Sequence, residues 1–221
     1  HTPGGTGALH VIALFLKEQF PQSTVFVSAP TWPNHPHIFK MVGFPIAEYR
    51  YYDKAQKNIC FDAVIDDLKQ AKERDIVLFH ACCHNPSGAD FTQEQWQLLS
   101  VLVQAKKLIP VFDCAYQGFA NNLQDDAYAI RLFAEMGIEC LVASSFSKNF
   151  GLYNERVGAL TVCAASSISR DHVYSQLKIL ARGVYSNPPA HGGHIVDKIL
   201  GSDLKSMWHA DLIHMKNRLQ A

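Results

Sequence analysis

Ile76-Val77-Leu78-Phe79-His80-Ala81-Cys82-Cys83-His84-Asn85-Pro86-Ser87-Gly88, then Thr92 to Lys107, then Ile109-Pro110-Val111-Phe112-Asp113, is the stretch that decides the fold class. Each apolar run is short and ends in residues that favour turns or polar chemistry, which is how a strand reads. Between the two runs the spacing is helical. Thr92 with Gln95 has the form of a capping box, Trp96, Leu99 and Val103 fall on one face, and Lys106 and Lys107 sit where the helix dipole favours cations. A strand, a helix and a strand in that order form the unit of a parallel sheet. Neither run alternates apolar with polar residues, the pattern of strands covered on both faces.

The same alternation extends in both directions. Thr24-Val25-Phe26-Val27 and Cys140-Leu141-Val142-Ala143 read as further strands, and Arg156 to Cys163 as another. Helical spacing marks Ala8 to Phe20, Phe61 to Ala71, Asp125 to Met136, Ser167 to Arg182, Ala190 to Leu200 and Ser202 to Gln220, with Asn187-Pro188-Pro189 as a break. The expected architecture is α/β, a mostly parallel sheet sandwiched by helices. No internal repeat or low-complexity tract interrupts it. At roughly 150 residues per domain, 221 residues suggest one large domain, or one and part of another. The helical pattern is still running at Gln220-Ala221, with no Gly, Pro or polar tail, so the chain is expected to be cut there.

Hydrophobic residues make up 48% of the chain and charged ones 18%, enough apolar content for a large core. Twenty basic residues balance twenty acidic ones. That neutrality removes the general attraction to nucleic acid or an anionic membrane and leaves a small molecule as the expected partner. No apolar run reaches the roughly 18 residues of a membrane span, and the first residues lack the basic and apolar regions of a signal peptide. The six dispersed cysteines are expected to be reduced thiols in an intracellular protein. His80-Ala81-Cys82-Cys83-His84 resembles a metal-binding string, but adjacent cysteines cannot easily face one zinc and no CxxC partner exists; no metal is expected.

Ligands of open parallel sheets bind at the carboxyl ends of the strands. Here those ends read Ser28-Ala29-Pro30-Thr31-Trp32-Pro33-Asn34-His35, His80 to Gly88, Asp113-Cys114-Ala115-Tyr116-Gln117-Gly118 and Ser144-Ser145-Phe146-Ser147-Lys148-Asn149. Taken singly, each residue has an ordinary structural explanation: a turn, a cap, a core aromatic or a solvated lysine. Gathered on one rim, they are a site. Gly4-Gly5-Thr6-Gly7 directly precedes the helix expected from Ala8, so free amides and the positive dipole end can hold a phosphate. Neither a GxxxxGK[ST] loop nor a dinucleotide fingerprint accompanies it.

Four strings together closely resemble the aspartate aminotransferases, members of the class I pyridoxal-phosphate enzymes. They are Ser145 to Gly158 (SFSKNFGLYNERVG), His84 to Gly88 (HNPSG), Asp113 to Phe119 (DCAYQGF) and Tyr185 to Gly192 (YSNPPAHG). The match runs in order from Gly4 to about Gly192, and relatives that prefer aromatic amino acids share the same strings. The resemblance implies the large domain of fold-type I enzymes. It also implies that Lys148 forms the Schiff base with the cofactor aldehyde and then moves a proton between the substrate α-carbon and the cofactor. A free lysine, with a pKa of about 10.4, is mostly ammonium, so this chemistry needs a shielded amine or an imine. Asp113 would pair with the pyridine nitrogen, with His35 hydrogen-bonded behind it. Tyr116 and Asn85 would donate to the phenolic oxygen, and Trp32 would stack on the ring. Gly5, Thr6, Ser145 and Arg156 would hold the phosphate, with Ser147 assisting.

Arg182 matches the arginine that reaches the neighbouring subunit's site and grips a substrate side-chain carboxylate, which implies a homodimer. Trp32 and Asn85 would also meet the substrate. The implied reaction is reversible and ping-pong, from L-aspartate and 2-oxoglutarate to oxaloacetate and L-glutamate. An aromatic amino acid aminotransferase of the same family is the alternative, and a non-catalytic binding module retaining the fold is the reading from another class. The family pattern also includes an N-terminal arm and a C-terminal small domain with an arginine for the α-carboxylate, both expected outside these 221 residues. On that reading residues 1–200 belong to the large domain, residues 201–221 begin the helix towards the small one, and this stretch alone is expected to be inactive. A cytoplasmic location is expected, with the mitochondrion as the other compartment.

Overall fold

A computed structural model describes residues 1–221. In chain order its strands are β1 (Thr2–Pro3), β2 (Val25–Ala29), β3 (Ile46–Arg50), β4 (Tyr52–Asp53), β5 (Asn58–Ile59), β6 (Ile76–His80), β7 (Ile109–Cys114), β8 (Cys140–Ser145) and β9 (Val157–Cys163). The helices are α1 (Gly4–Gln19), α2 (Asn34–Met41), α3 (Phe61–Leu68), α4 (Gln93–Lys106), α5 (Tyr128–Glu135), α6 (Ser167–Val184), α7 (Ala190–Leu200) and α8 (Leu204–Gln220). No helix is long and apolar enough to cross a membrane.

Seven strands form one sheet in the order β1-β9-β8-β7-β6-β2-β3. From β3 to β8 every pairing is parallel, while β9 pairs antiparallel with both β8 and β1. The expected α/β class is therefore the observed one. Both faces are covered. Phe79, Phe112 and Val142 point into one core with Val64 of α3, Trp96, Leu99 and Val103 of α4 and Phe133 of α5. Val27, Leu78, Val111 and Ala143 point into the other, with Leu9, Ile12 and Leu16 of α1 and Phe39 of α2. This two-sided burial explains the unbroken apolar runs.

Three differences from the sequence reading matter. Helix α1 begins at Gly4 and not at Ala8, so the glycines form its first turn; Gly4 itself takes a left-handed φ of +73°, open to glycine without cost. The stretch from Asp125 starts as a single 3-10 turn, Asp125–Ala127, and becomes α5 only at Tyr128. Helix α2 and strand β3 had no counterpart in the periodicity. Helix α2 is only eight residues with Pro36 in its first turn, and β3 lies at the sheet edge with a single fully buried side chain, Tyr49.

The topology positions the site. Strand β3 lies on one side of β2, while β6, β7 and β8 lie on the other, so the order reverses between β2 and β6. Loops leaving adjacent strands there diverge and open a crevice at their carboxyl ends. Helix α8 closes one flank, where Trp208 Nε1 donates to the Asn149 carbonyl at 2.7 Å and stacks on Phe150 with ring centroids 4.4 Å apart.

Candidate active site

A cleft of about 250 Å³ at this crevice is lined by Gly5, Thr6, Leu9, Trp32, His80, Cys82, Asn85, Asp113, Ala115, Tyr116, Ser145, Ser147, Lys148, Tyr153 and Arg156. Every residue expected to touch the cofactor lies in it. His35 stands directly behind Asp113, as expected, with Nε2 at 2.7 Å from Oδ2. Arg182 is elsewhere: it lies in the last turn of α6, is exposed, and its Nη1 donates to the Ser186 hydroxyl. It shares a separate groove with His1, Tyr185 and Asn187.

Asp113 is the penultimate residue of β7 and is 7% exposed, an acidic group kept from water. Its partner belongs to a directional chain. The Asn85 backbone N–H points to His80 Nδ1 at 3.5 Å, His80 Nε2 lies 3.2 Å from the Thr31 hydroxyl, and that hydroxyl lies 3.0 Å from His35 Nδ1. With His80 accepting at Nδ1 and donating from Nε2, every step can have one donor and one acceptor, ending with His35 Nε2–H donating to the Asp113 carboxylate. Burial, then the neighbouring His35 and His84, hold His80 well below the ordinary histidine pKa and so keep it neutral. Asp113 thus keeps its second oxygen for a donor in the cleft.

Lys148 follows β8. Its Nζ lies 4.8 Å from the centre of the Tyr116 ring and 5.6 Å from that of Tyr153. Burial lowers its pKa and the Arg156 charge adds to this, against the pull of Asp113. Tyr116 moves the other way: burial and the Asp113 charge raise it, so its phenol remains a donor.

The opposite end of the cleft is built for an anion. Helix α1 presents its first-turn amides at Gly5 and Thr6. Ser145 is buried, its hydroxyl accepting from the Ser147 amide at 3.2 Å. Arg156, with a left-handed φ of 55°, is held by Nη1 donating to the Tyr153 carbonyl at 2.7 Å. A Cβ on Gly4 would fall 2.6 Å from Arg156 Nη2, and one on Gly158 would collide with the Gly4 backbone. The cup therefore exists only because both positions are glycine.

Leu9, His80, Cys82, Ala115 and Tyr153 line the cleft, and Thr31 links two of its histidines, without having been assigned a role from sequence. All but Leu9 and Tyr153 lie in strand-end strings already singled out, so the rim position was their signal; Tyr153 lies in the string Ser145 to Gly158. Asp126 gave none: it is buried and accepts from the amides of Gly118, Ala120 and Asn121 at 2.8, 3.1 and 2.8 Å, shaping the loop after Tyr116.

A doubly covered, mainly parallel sheet with a cationic cup, a shielded lysine and a buried carboxylate in one cleft defines a protein that holds a phosphorylated, ring-nitrogen-bearing group. The chain belongs to the aminotransferase class I and II family, whose pattern it matches over residues 1–221. It is 52% identical over 220 residues to the aspartate aminotransferase of Escherichia coli (strain K12), covering 99% of this chain and 56% of that protein. It is 46% identical over 221 residues to the aromatic-amino-acid aminotransferase of the same organism, covering 100% and 56%. Among solved structures, the aromatic-amino-acid aminotransferase from Burkholderia pseudomallei, described as covalently bound to pyridoxal phosphate, superposes with a TM-score of 0.97 at 44% identity, covering 98% of this chain and 55% of that one. The chain thus spans little more than half the length of these relatives.

Proposed function

We propose that this chain is the cofactor-binding part of a pyridoxal-phosphate-dependent aminotransferase that passes an amino group between an amino acid and a 2-oxo acid. One observation carries the proposal: the Lys148 amine and the Asp113 carboxylate share a cleft whose far end is a glycine-built anion cup. The donor set fits the cofactor, with the cup for its phosphate, Asp113 for its ring nitrogen and Tyr116 and Asn85 for its phenolic oxygen. Bound there, pyridoxal phosphate supplies an electron sink for the pair released when the substrate α-carbon loses a proton.

The chain's residues do the rest. Lys148 Nζ, its pKa lowered by burial, would take that proton and return it at the other end of the transfer. Asp113, anchored through His35, Thr31 and His80, would pair with the ring nitrogen. Trp32, which lines the cleft, would cover the ring face and exclude water from it. Reduction of the full-length protein with borohydride after loading with pyridoxal phosphate should leave the label on Lys148; a label on any other lysine overturns the assignment.

The proposed substrates include both aspartate and aromatic amino acids, because relatives named for each match the whole of this chain at 52% and 46% identity. Comparing kcat/KM for aspartate and tyrosine tests this, and turnover of only one of them narrows the reading to that one. The proposed assembly is a homodimer. Arg182 is exposed and outside its own cleft, on a helix that also exposes Tyr174 and Ile179, as an arginine serving a second copy's substrate would be.

A further inference from the structure

Cys140 opens β8 and Cys163 closes β9, and the two stand directly opposite each other as the last pair of the antiparallel ladder. Such partners have Cα atoms about 4.5 to 5.5 Å apart, inside the window of about 4.4 to 6.8 Å that a disulfide requires. Their side chains share a face, since Cys140 is part of the core around Phe133 and Ile138 and Cys163 packs against that same core. The ladder is held at this end by the Ala165 amide, which donates to Glu139 Oε1 at 3.0 Å. Both cysteines are unbridged. They also line a cavity of about 710 Å³ at the amino ends of the strands, remote from the cofactor cleft.

We propose that Cys140 and Cys163 form a thiol–disulfide couple that reacts with small-molecule disulfides, with Cys163 as the attacking thiol and Cys140 as the resolving one. The Cys163 sulfur attacks one sulfur of the external disulfide, forming a mixed disulfide and expelling one thiolate. Cys140 then loses its proton to solvent and attacks the Cys163 sulfur, expelling the second thiolate and closing the bridge. Two protein thiols are oxidised to one disulfide, and one external disulfide is reduced to two thiols.

The division of labour follows from exposure. Cys140 is 3% exposed, whereas Cys163 is half-buried and reaches the cavity. The neighbouring Cys140 thiol lowers the Cys163 pKa, against the effect of its partial burial, while the Cys163 thiol and burial raise that of Cys140. The half-exposed member is therefore the nucleophile at neutral pH. The consequence reaches the cleft through the chain. The loop closed by the bridge contains Ser145, Ser147, Lys148, Tyr153 and Arg156, so oxidation would tie together the two strands that carry the cofactor lysine and half of the anion cup.

A second contact between thiols provides the internal control. Cys82 touches Cys114 and Cys83 near the cofactor cleft, but Cys82 and Cys114 are both almost fully buried and neither lines the large cavity. The intact holoprotein is incubated with oxidised glutathione at neutral pH, remaining thiols are alkylated, and the product is analysed by intact mass and tryptic mapping. Trypsin cuts at Lys148 and Arg156, between the two cysteines, so a bridge appears as two linked peptides. The expected product lacks two of the alkyl groups that the unexposed, alkylated protein carries, its bridged pair being two hydrogens lighter than the free thiols, with the peptide bearing Cys140 joined to that bearing Cys163. Cys140→Ser should stop at a glutathione adduct on Cys163, and Cys163→Ser should leave Cys140 free for alkylation. Full alkylation of both thiols after exposure, a link involving Cys82 or Cys114, or an unmodified Cys163 in the Cys140→Ser protein would each overturn the proposal.

Discussion

Gly158 has no room for a side chain, because a Cβ there would overlap the Gly4 backbone at the mouth of the anion cup. Gly158→Ala must push β9 away from the first turn of α1, a strain of roughly 1–3 kcal/mol. Titrating the dialysed protein with pyridoxal phosphate should show affinity roughly ten- to hundredfold weaker; unchanged affinity would mean that the cup tolerates separation. His84 sets a different constraint. Its ring is fixed between the Ser28 and Ser87 hydroxyls at 2.8 and 2.7 Å, and burial, then the neighbouring His35, lowers its pKa from 6.5 to about 4. The unfolded chain takes up a proton that the folded one refuses. The stability from this neutral ring is thus complete above pH 6.5 and is lost as pH falls towards 4, by about 3 kcal/mol at most. Urea midpoints at pH 7 and pH 5 should drop more for the native sequence than for His84→Asn, whose residue at 84 does not titrate. At this scale the sequence was legible where one string holds the chemistry, as with Lys148 and Arg156. It was not where the link joins three segments, as the chain from His80 through Thr31 and His35 to Asp113 does, because hydrogen bonds between distant residues leave no local pattern.

Helix α4 is the element whose ends are written most plainly. The Thr92 hydroxyl accepts from the Gln95 amide at 3.2 Å, Gln95 Oε1 accepts from the Thr92 amide at 3.0 Å, and Lys107 closes the helix with a left-handed φ of 52°. Trp96, Leu99 and Val103 then press against the face of the sheet opposite α1. Thr92→Ala removes one of the two reciprocal bonds and should destabilise the protein by about 1 kcal/mol. The cap is exposed and does not line the cleft. Thermal unfolding should therefore shift while cofactor affinity does not, and a change in affinity would show that α4 is coupled to the site. The contrast with α1 explains why boundaries differ in legibility. A side-chain cap is a sequence signal, whereas α1 starts after Pro3 with no side-chain cap, on a left-handed glycine whose conformation depends on β9 and Arg156. Strand β3 is similarly silent. Its burial comes from α3 and β2, and neither contact is encoded within Ile46–Arg50 itself.

At the scale of the molecule, neutrality of the whole chain coexists with a cationic cleft. Lys148 and Arg156 face inward across an interior that contains the single acidic group Asp113, so the balance of twenty against twenty describes the surface and not the site. Arg182 belongs to neither description. It lies on the exposed end of α6, outside the cleft that holds Lys148, and its only side-chain hydrogen bond is to Ser186 of its own chain. If two copies exchange this arginine, each complete site needs Lys148 from one chain and Arg182 from the other. Lys148→Ala and Arg182→Asp then break different halves of the same site. Homodimers of either variant of the full-length protein should be nearly inactive on aspartate. Refolding the two as a mixture should form heterodimers in which one site lacks both groups and the other has Lys148 of one chain and Arg182 of its partner intact. Random assortment makes half of all dimers mixed, and half of their sites complete, so the mixture should recover about a quarter of the native activity while neither variant alone recovers any. No recovery, with heterodimers confirmed by mass, would place Arg182 in the service of its own chain and remove the reason for an obligate pair.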